Sequence, residues 1–482
     1  MTCAFLQLLI KTEVVFKSSP DLASLFSMKL SKNPKNFLLL ILLGFLLLLE
    51  TFRSHWPFRI SQAPKQIPHN GEPSGERDLP QTTPSPNGGE SASLLRVKGT
   101  KTLLVSAYLE HRTAEKEVRV IVITPRSEQA VFNCHLDCQR QLYVSKGVIK
   151  LNKDFFGYLY GTADIMCPLP PGCETPVHVA ITLNGSKGED HDFLEVKNQK
   201  AETEFLPYNF TVCFPVMFEF TNVLQLVQSL EMLQLLGVNK VVIYKTSCSL
   251  EIHRVLDYYT STGFVEVVPW SLSKYLNVSR GFMSHKDPGD IHYFGQMPAL
   301  SDCLYRYMYQ SRYMAFQDPD ELILPQSVNS WLKLLPVLEK RYGANKCYMF
   351  ENNVFPRERS LPPPKPQVLP KQNQWQNVAG VNILAHLYKE PIMPQFKWAK
   401  FKIIVNPRAV FTITVHGVVK SQMGCAWIDR NIARMYHTRS EMQTKLRDDQ
   451  LIYDGRLLNY STDLSAAVNT VLKESRLLSG TK

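Results

Sequence analysis

The sequence predicts an α/β fold over residues 206–475, a parallel sheet with helices between its strands, preceded by a small β-rich domain over 99–205. Three observations predict it. First, "TNVLQLVQSLEMLQLLG" places Val223, Leu226, Val227, Leu230 and Leu233 at helical spacing and stops at Gly237, and the buried strand "KVVIY" (240–244) follows. Second, the helix pattern repeats twice: "EIHRVLDYYTSTG" leads to "FVEVVPW", and "PALSDCLYRYMYQSRY" leads to "MAFQDPDE". That alternation builds parallel sheets, whose ligands bind at the carboxyl ends of the strands. Third, "TLLVSAYLE", "EVRVIVITP", "AVFNCHLDC" and "VHVAITLNG" alternate apolar and polar residues between turn signals, as antiparallel strands do.

Ahead of these domains, "FLLLILLGFLLLL" (37–49) is a run of 13 apolar residues. A helix over 37–52 spans roughly 24 Å, short for a plasma membrane but tolerable in a thin one. Lys29, Lys32 and Lys35 precede it, and no small-x-small cleavage site follows. The expectation is a type II signal anchor, with a cytosolic tail over 1–36 (Met28 being an alternative start). Residues 53–98 are expected to form a stem, since the seven prolines between Pro57 and Pro86 lie among Ser, Thr, Gly and Gln.

Composition is that of a globular chain, 44% hydrophobic and 20% charged, and 482 residues allow two or three domains. A net charge of +11 favours anionic partners such as nucleotides, sulfated sugars or membrane surfaces. No basic run interleaved with aromatics marks a nucleic-acid face, so nucleic acid is not expected; oligomerisation is left open. Four N-x-[ST] sequons, at Asn184, Asn209, Asn277 and Asn459, agree with a lumenal domain. Nine of the ten cysteines lie beyond the anchor. Cys134, Cys138, Cys167 and Cys173 have spacings that resemble zinc sites, but they sit in separate β-like segments, so disulfides are expected, with at least one thiol left over.

The stretch "YMAFQDPDELILP" (313–325) crowds Asp318, Asp320 and Glu321 at the end of a predicted strand. Asp-Pro starts a type I turn. Two acids at i and i+2 also present hard oxygen ligands to Mg²⁺ or Mn²⁺ holding a diphosphate. A second triplet, "DHD" at 190–192, lies in a polar loop and reads as a decoy.

The order "LLGVNKVVIY", "DCLYRYMYQSRYMAFQDPDELILP", "KFKIIVNPRAVFTITVHG" and "MYHTR" resembles the glycosyltransferase family 92 domain over roughly residues 206 to 440. The resemblance implies anchored Golgi enzymes with a GT-A-type fold, inverting β-galactosyltransferases that move galactose from UDP-galactose to a terminal galactose or fucose of a glycan. Two positions depart from the family pattern: D-P-D-E stands where D-I-D-E is commoner, and H-T-R where H-Y-R is commoner. The first keeps every carboxylate; the second loses an aromatic ring. By position, Asp318 and Asp320 would hold Mn²⁺ or Mg²⁺, with Glu321 fixing the loop or assisting. His416 is similar to a late histidine ligand, or is satisfied at a strand end. His437 is the substitute, and Arg439 can meet phosphate.

Tyr244, Asp302 and Arg306 are further donor-binding candidates, although a helix-surface ion pair explains the last two equally well. Lys397, Lys400 and Lys402 either meet the diphosphate, Lys400 being the choice, or line a solvated strand. Inversion needs a base for the acceptor hydroxyl. Glu351, following the apolar "CYMF", is named for it, with Asp429 and Asp449 behind. The proline-rich "SLPPPKPQVLPKQNQWQN" reads as a lid in which Trp375 stacks on a sugar, or as a plain insertion. Rival readings are another UDP-sugar as donor, a carbohydrate-binding protein without catalysis, and a receptor ectodomain.

Overall fold

The computed structural model describes residues 94–478, apart from 187–190, 202–204, 366 and 368–372. The expected tail, the anchor and nearly all of the stem lie outside the described residues, among which no helix is long and apolar enough to cross a membrane.

The first eight strands are β1 (Leu95–Arg96), β2 (Leu103–Glu110), β3 (Glu117–Pro125), β4 (Phe132–Cys138), β5 (Gln141–Leu151), β6 (Tyr160–Pro168), β7 (His178–Leu183) and β8 (Leu194–Lys197). They pair in the order β1-β2-β3-β6-β5-β4-β7-β8. The last strand also pairs in parallel with β2, through Ala107↔Val196 and Tyr108↔Lys197. Seven strands thereby close into a barrel, which leaves few free sheet edges. Alternation sends Val118, Val120, Val122, Leu136, Ile165 and Val179 inward, all fully buried. Disulfides Cys134–Cys167 and Cys138–Cys173 cross this core. Linking residues 33 and 35 apart, each contributes about 3–4 kcal/mol in the chain-entropy account.

The chain continues through β9 (Tyr208–Met217), α1 (Val223–Leu235), β10 (Lys240–Lys245), α2 (Leu250–Ser261), β11 (Val265–Pro269), α3 (Gln296–Tyr307), β12 (Ser311–Phe316), β13 (Glu321–Pro325) and α4 (Trp331–Tyr342). Then come β14 (Cys347–Phe350), β15 (Asn352–Pro356), β16 (Tyr388–Lys389), β17 (Lys402–Val405), β18 (Val410–Thr414), β19 (Gly417–Ser421), β20 (Cys425–Trp427), β21 (Ala433–Arg439), β22 (Ile452–Tyr453) and α5 (Ser461–Glu474). A seven-stranded mixed sheet has the order β11-β10-β9-β12-β17-β14-β20, and a smaller one has the order β13-β21-β15. Side-chain oxygens of Asn222 and Ser249 cap α1 and α2. Gly237, with φ +94°, ends the first helix in the left-handed turn that glycine accepts without strain.

Helix α1 is buried from Val223 to Leu233, and Leu226, Val227 and Leu230 are wholly excluded from solvent. Each such side chain contributes about 1.5–3 kcal/mol. Helix α3 lies on the other side, in a core shared by the large sheet and the barrel residues Tyr108 and Ile121. Disulfides Cys213–Cys303 and Cys347–Cys425 tie β9 to α3 and β14 to β20, and Cys248 keeps a free thiol. The cysteines are therefore structural links rather than zinc ligands.

The expected α/β class is corrected. Strand dominates, with 22 strands against five α-helices of 12 to 14 residues among the described residues. A closed barrel stands beside a mixed sheet, not a GT-A-type α/β sheet. The helix–strand rhythm is real only between β9 and α4. Beyond it, strands of two to seven residues follow one another through turns and short 3₁₀ segments until α5.

Candidate active site

Strand β12 runs out into Gln317, Asp318, Pro319 and Asp320, and β13 begins at Glu321. The Glu321 amide donates to the Asp318 carbonyl at 3.1 Å, which closes the turn that Asp-Pro favours. The turn joins the large sheet to the small one. Phe316 pairs with Ile403, so Lys402 at the head of β17 lies beside Asp318. Glu321 pairs with His437 of β21.

These registers assemble a chain of alternating charge. Lys402 Nζ is 2.8 Å from Asp318 Oδ2 and 3.1 Å from Glu321 Oε2. His437 Nδ1 is 3.5 Å from Glu321 Oε1, and its Nε2 is 3.3 Å from Asp320 Oδ2. The Asp318 amide donates to Glu321 Oε2 at 2.8 Å, and the Thr438 amide to the Asp320 carbonyl at 3.0 Å. Lys402 and Glu321 are each 2% exposed in the side chain, whereas Asp318 is 30% and Asp320 34% exposed. The inner pair is thus sealed, and the two aspartates face outward from it.

Burial opposes ionisation of Asp318, but Lys402, with His437 and His416 behind it, outweighs burial and holds the carboxyl below its ordinary range. Glu321 is pushed up to about 7 by burial and by Asp318, against the pull of Lys402. Burial opposes the charge on His437 as well, yet Glu321 and Asp320 raise its pKa. Burial likewise works against the Lys402 ammonium, which Asp318 and Glu321 keep protonated.

Around this centre, His416 lies exposed in the turn between β18 and β19, within electrostatic reach of Lys402 and Asp318. Arg439 acts electrostatically on His437 and Lys400, and its buried Nε has no hydrogen-bond partner. Residues 208–472 match the family model described as Glycosyltransferase family 92. The chain belongs to glycosyltransferase family 92. It is 28% identical over 127 residues to a glycosyltransferase family 92 protein of Caenorhabditis elegans, covering 26% of this chain and 24% of that one. It is 21% identical over 231 residues to a beta-1,4-galactosyltransferase of the same organism, covering 46% of this chain and 50% of the relative. The matches therefore span about a quarter and a half of those relatives' lengths.

Within this family 92 domain the other predicted residues fall into separate places. Tyr244 and Arg306 converge on Asp302, which is 1% exposed. Asp302 accepts from the Tyr244 hydroxyl at 2.5 Å, the Tyr108 hydroxyl at 2.6 Å and Arg306 Nη2 at 2.8 Å. That cluster pins the barrel to α3 and β10, with no carboxylate oxygen left for a nucleotide. Glu351 is buried and pairs with Arg430 at 3.3 Å, and the residue before it, Phe350, pairs in the sheet with Lys402. Asp429 pairs with Arg341, and Asp449 with Arg447. Trp375 is in the core, 3% exposed, with its indole N–H on Asn469. The four sequon asparagines, Asn184, Asn209, Asn277 and Asn459, are all exposed.

Three site residues escaped the sequence reading. Tyr293 faces the acids, its hydroxyl pKa raised by burial and then by Asp318 and Asp320. It begins a left-handed run, with φ of +37° at Tyr293 and +52° at Phe294, of the kind strained backbones show at functional sites. His292 stacks on Phe156 with centroids 3.9 Å apart, and burial, with His416, pushes its pKa down to about 4. Trp398, 58% exposed and two residues before Lys400, is the indole open to solvent on this stretch. The aromatic–lysine alternation "FKWAKFK" was the available signal for it.

Proposed function

We propose that this glycosyltransferase moves galactose from UDP-galactose, with inversion, to a terminal galactose or fucose of a glycan in the Golgi lumen. The observation that carries the reading is the acidic turn: two aspartates facing outward from a sealed Lys402–Glu321–His437 brace, beside the partnerless Nε of Arg439. The galactose donor is supported by the beta-1,4-galactosyltransferase among the relatives. Four disulfides and four exposed sequons support an oxidising, glycosylating compartment.

Among the described residues no three acidic, imidazole or thiol groups are gathered to hold a metal unaided. The donor set nevertheless fits Mn²⁺ or Mg²⁺. Among the described residues Lys402 and His437 engage only the Oδ2 atoms of Asp318 and Asp320, and such ions take one or two carboxylates and complete their shell with phosphate and water. Asp318 and Asp320 would hold the ion, and His416 would become a third ligand only by moving closer, since the three are not gathered here. The ion's chemistry is to neutralise the departing nucleoside diphosphate. Lys402 holds the Asp318 carboxylate ionised, and His437 braces Asp320 at 3.3 Å. Arg439 and Lys400 meet diphosphate oxygens, the guanidinium in its planar two-pronged geometry.

The test uses secreted residues 93–482 with UDP-sugars and Mn²⁺, following UDP release with and without galactose- and fucose-terminated glycans. Release that needs acceptor, metal, Asp318 and Asp320 is the expected result. No release from any donor by folded protein would favour a carbohydrate-binding protein without catalysis.

A further inference from the structure

A cavity of about 550 Å³ lies between the outer face of the barrel, α3 and the β18–β19 pair, within the size range of ligand pockets. Arg119, Asp164 and Thr162 line its barrel side, and Phe411 and Val419 its other side. The register explains the barrel wall: Ile121 pairs with Asp164, Ile123 with Thr162 and Lys150 with Asp164. This face therefore alternates away from the apolar interior.

Two buried polar groups of that wall are incomplete. Arg119 is 5% and Thr162 4% exposed, and Arg119 Nε and Thr162 Oγ1 have no hydrogen-bond partner. The remaining Arg119 nitrogens are taken by Asp164 and Glu110. Unmet buried donors and acceptors are costly unless something completes them. Val419 and Leu151, 45% and 40% exposed, add apolar surface to the same cavity. Glu117, Lys150, Thr412 and Lys420 add polar groups open to the cavity, and polar groups interleaved with apolar patches match a saccharide, which has hydroxyls at its edges and C–H groups on its faces.

The cavity also leads toward the acidic turn. Phe411, Thr412 and Ile413 line it, and the turn that follows carries His416. Asn152 and Lys153 line it too, and the next residue, Asp154, accepts from the Thr414 hydroxyl. From Phe411 to Thr414 is three strand residues, about 10 Å.

We propose that this cavity binds the inner sugars of the acceptor oligosaccharide, so that the outermost sugar reaches past His416 to Asp318 and Asp320. The barrel is then an acceptor-recognition element. The proposal rests on the transferase reading for its role, but not for its binding.

The test compares full-length protein with Val419→Trp, which blocks the cavity, and Thr162→Val, which removes one unmet hydroxyl at nearly constant shape. The probes are a galactose-terminated biantennary oligosaccharide and free galactose, measured by calorimetry and saturation-transfer NMR, with thermal melting to verify folding. The expected result is binding of the oligosaccharide by the wild type, weakened at least tenfold by Val419→Trp and about threefold or more by Thr162→Val. In turnover, the oligosaccharide KM rises by the same factors while the donor KM moves less than twofold. An oligosaccharide affinity unchanged in folded Val419→Trp overturns the proposal, and so does a wild type that binds none. Absent UDP release with intact, Val419-dependent binding would sink the transferase reading and leave the saccharide cavity standing.

Discussion

Two of the buried charge clusters among the described residues are built to different ends. Around Asp302, two tyrosine hydroxyls and one guanidinium saturate a carboxylate that is 1% exposed. Around Asp318, a lysine and a histidine brace three carboxylates but leave two of them about one-third exposed. Both clusters are rich in ionisable groups with displaced pKa values, so displacement alone does not mark a reactive site. Leftover bonding capacity does. A saturated cluster fixes the barrel against α3; an unsaturated one is ready for a ligand.

The sharpest way to break this comparison is to neutralise the outward acids. Asp318→Asn and Asp320→Asn are each expected to lower glycan-dependent UDP release roughly 10³-fold, the scale of several kcal/mol of charge stabilisation, with melting close to wild type. Lost folding with retained turnover would reverse the two roles. Asp302→Ala should do the opposite, costing about 3–5 kcal/mol in denaturant unfolding because it leaves two buried tyrosine hydroxyls without their acceptor and Arg306 with only Glu266, at 3.8 Å. The sign with pH is also fixed. Burial works against the Asp302 charge, but Arg306 and the tyrosines overcome it and lower the pKa. Its contribution is therefore full above the ordinary aspartate value, about 3.9, and is lost as pH falls through the lowered one. Wild type and Asp302→Asn should converge in acid.

Smaller effects sharpen the boundary. Arg439→Ala should raise the donor KM about tenfold, some 1.4 kcal/mol, with little change in melting. Glu351→Gln should lower kcat less than threefold, its ion pair with Arg430 being replaced by a hydrogen bond. A loss of about 10²-fold or more would instead make Glu351 the proton acceptor.

Much of this was legible in the residues. Periodicity located α1 and α2, and the strand end carrying Asp318 followed from an apolar run meeting Asp-Pro. Barrel closure was not legible. Alternation marks strands but not partners, and the closing pair joins Ala107 to Val196 across most of the barrel's sequence. Lys400 and Lys402 share a parity that predicts one face for both. Lys400 adopts φ +54°, which breaks the alternation and leaves it exposed while Lys402 is buried under the acids. Trp375 sits in a proline-rich segment, and nothing local reveals that α5 offers Asn469 to its indole.

The acidic turn has one more property. Asp318 leaves the last strand of the parallel run, and Glu321, three residues on, opens the small sheet, so the turn is the splice between two separately hydrogen-bonded layers. A ligand gripping both aspartates grips both layers, and its binding energy becomes cohesion of the whole fold. By mass action, ligand at a hundred times its dissociation constant adds about 2.7 kcal/mol to the unfolding free energy. The donor would thus report its own arrival as heat resistance, before any sugar is transferred.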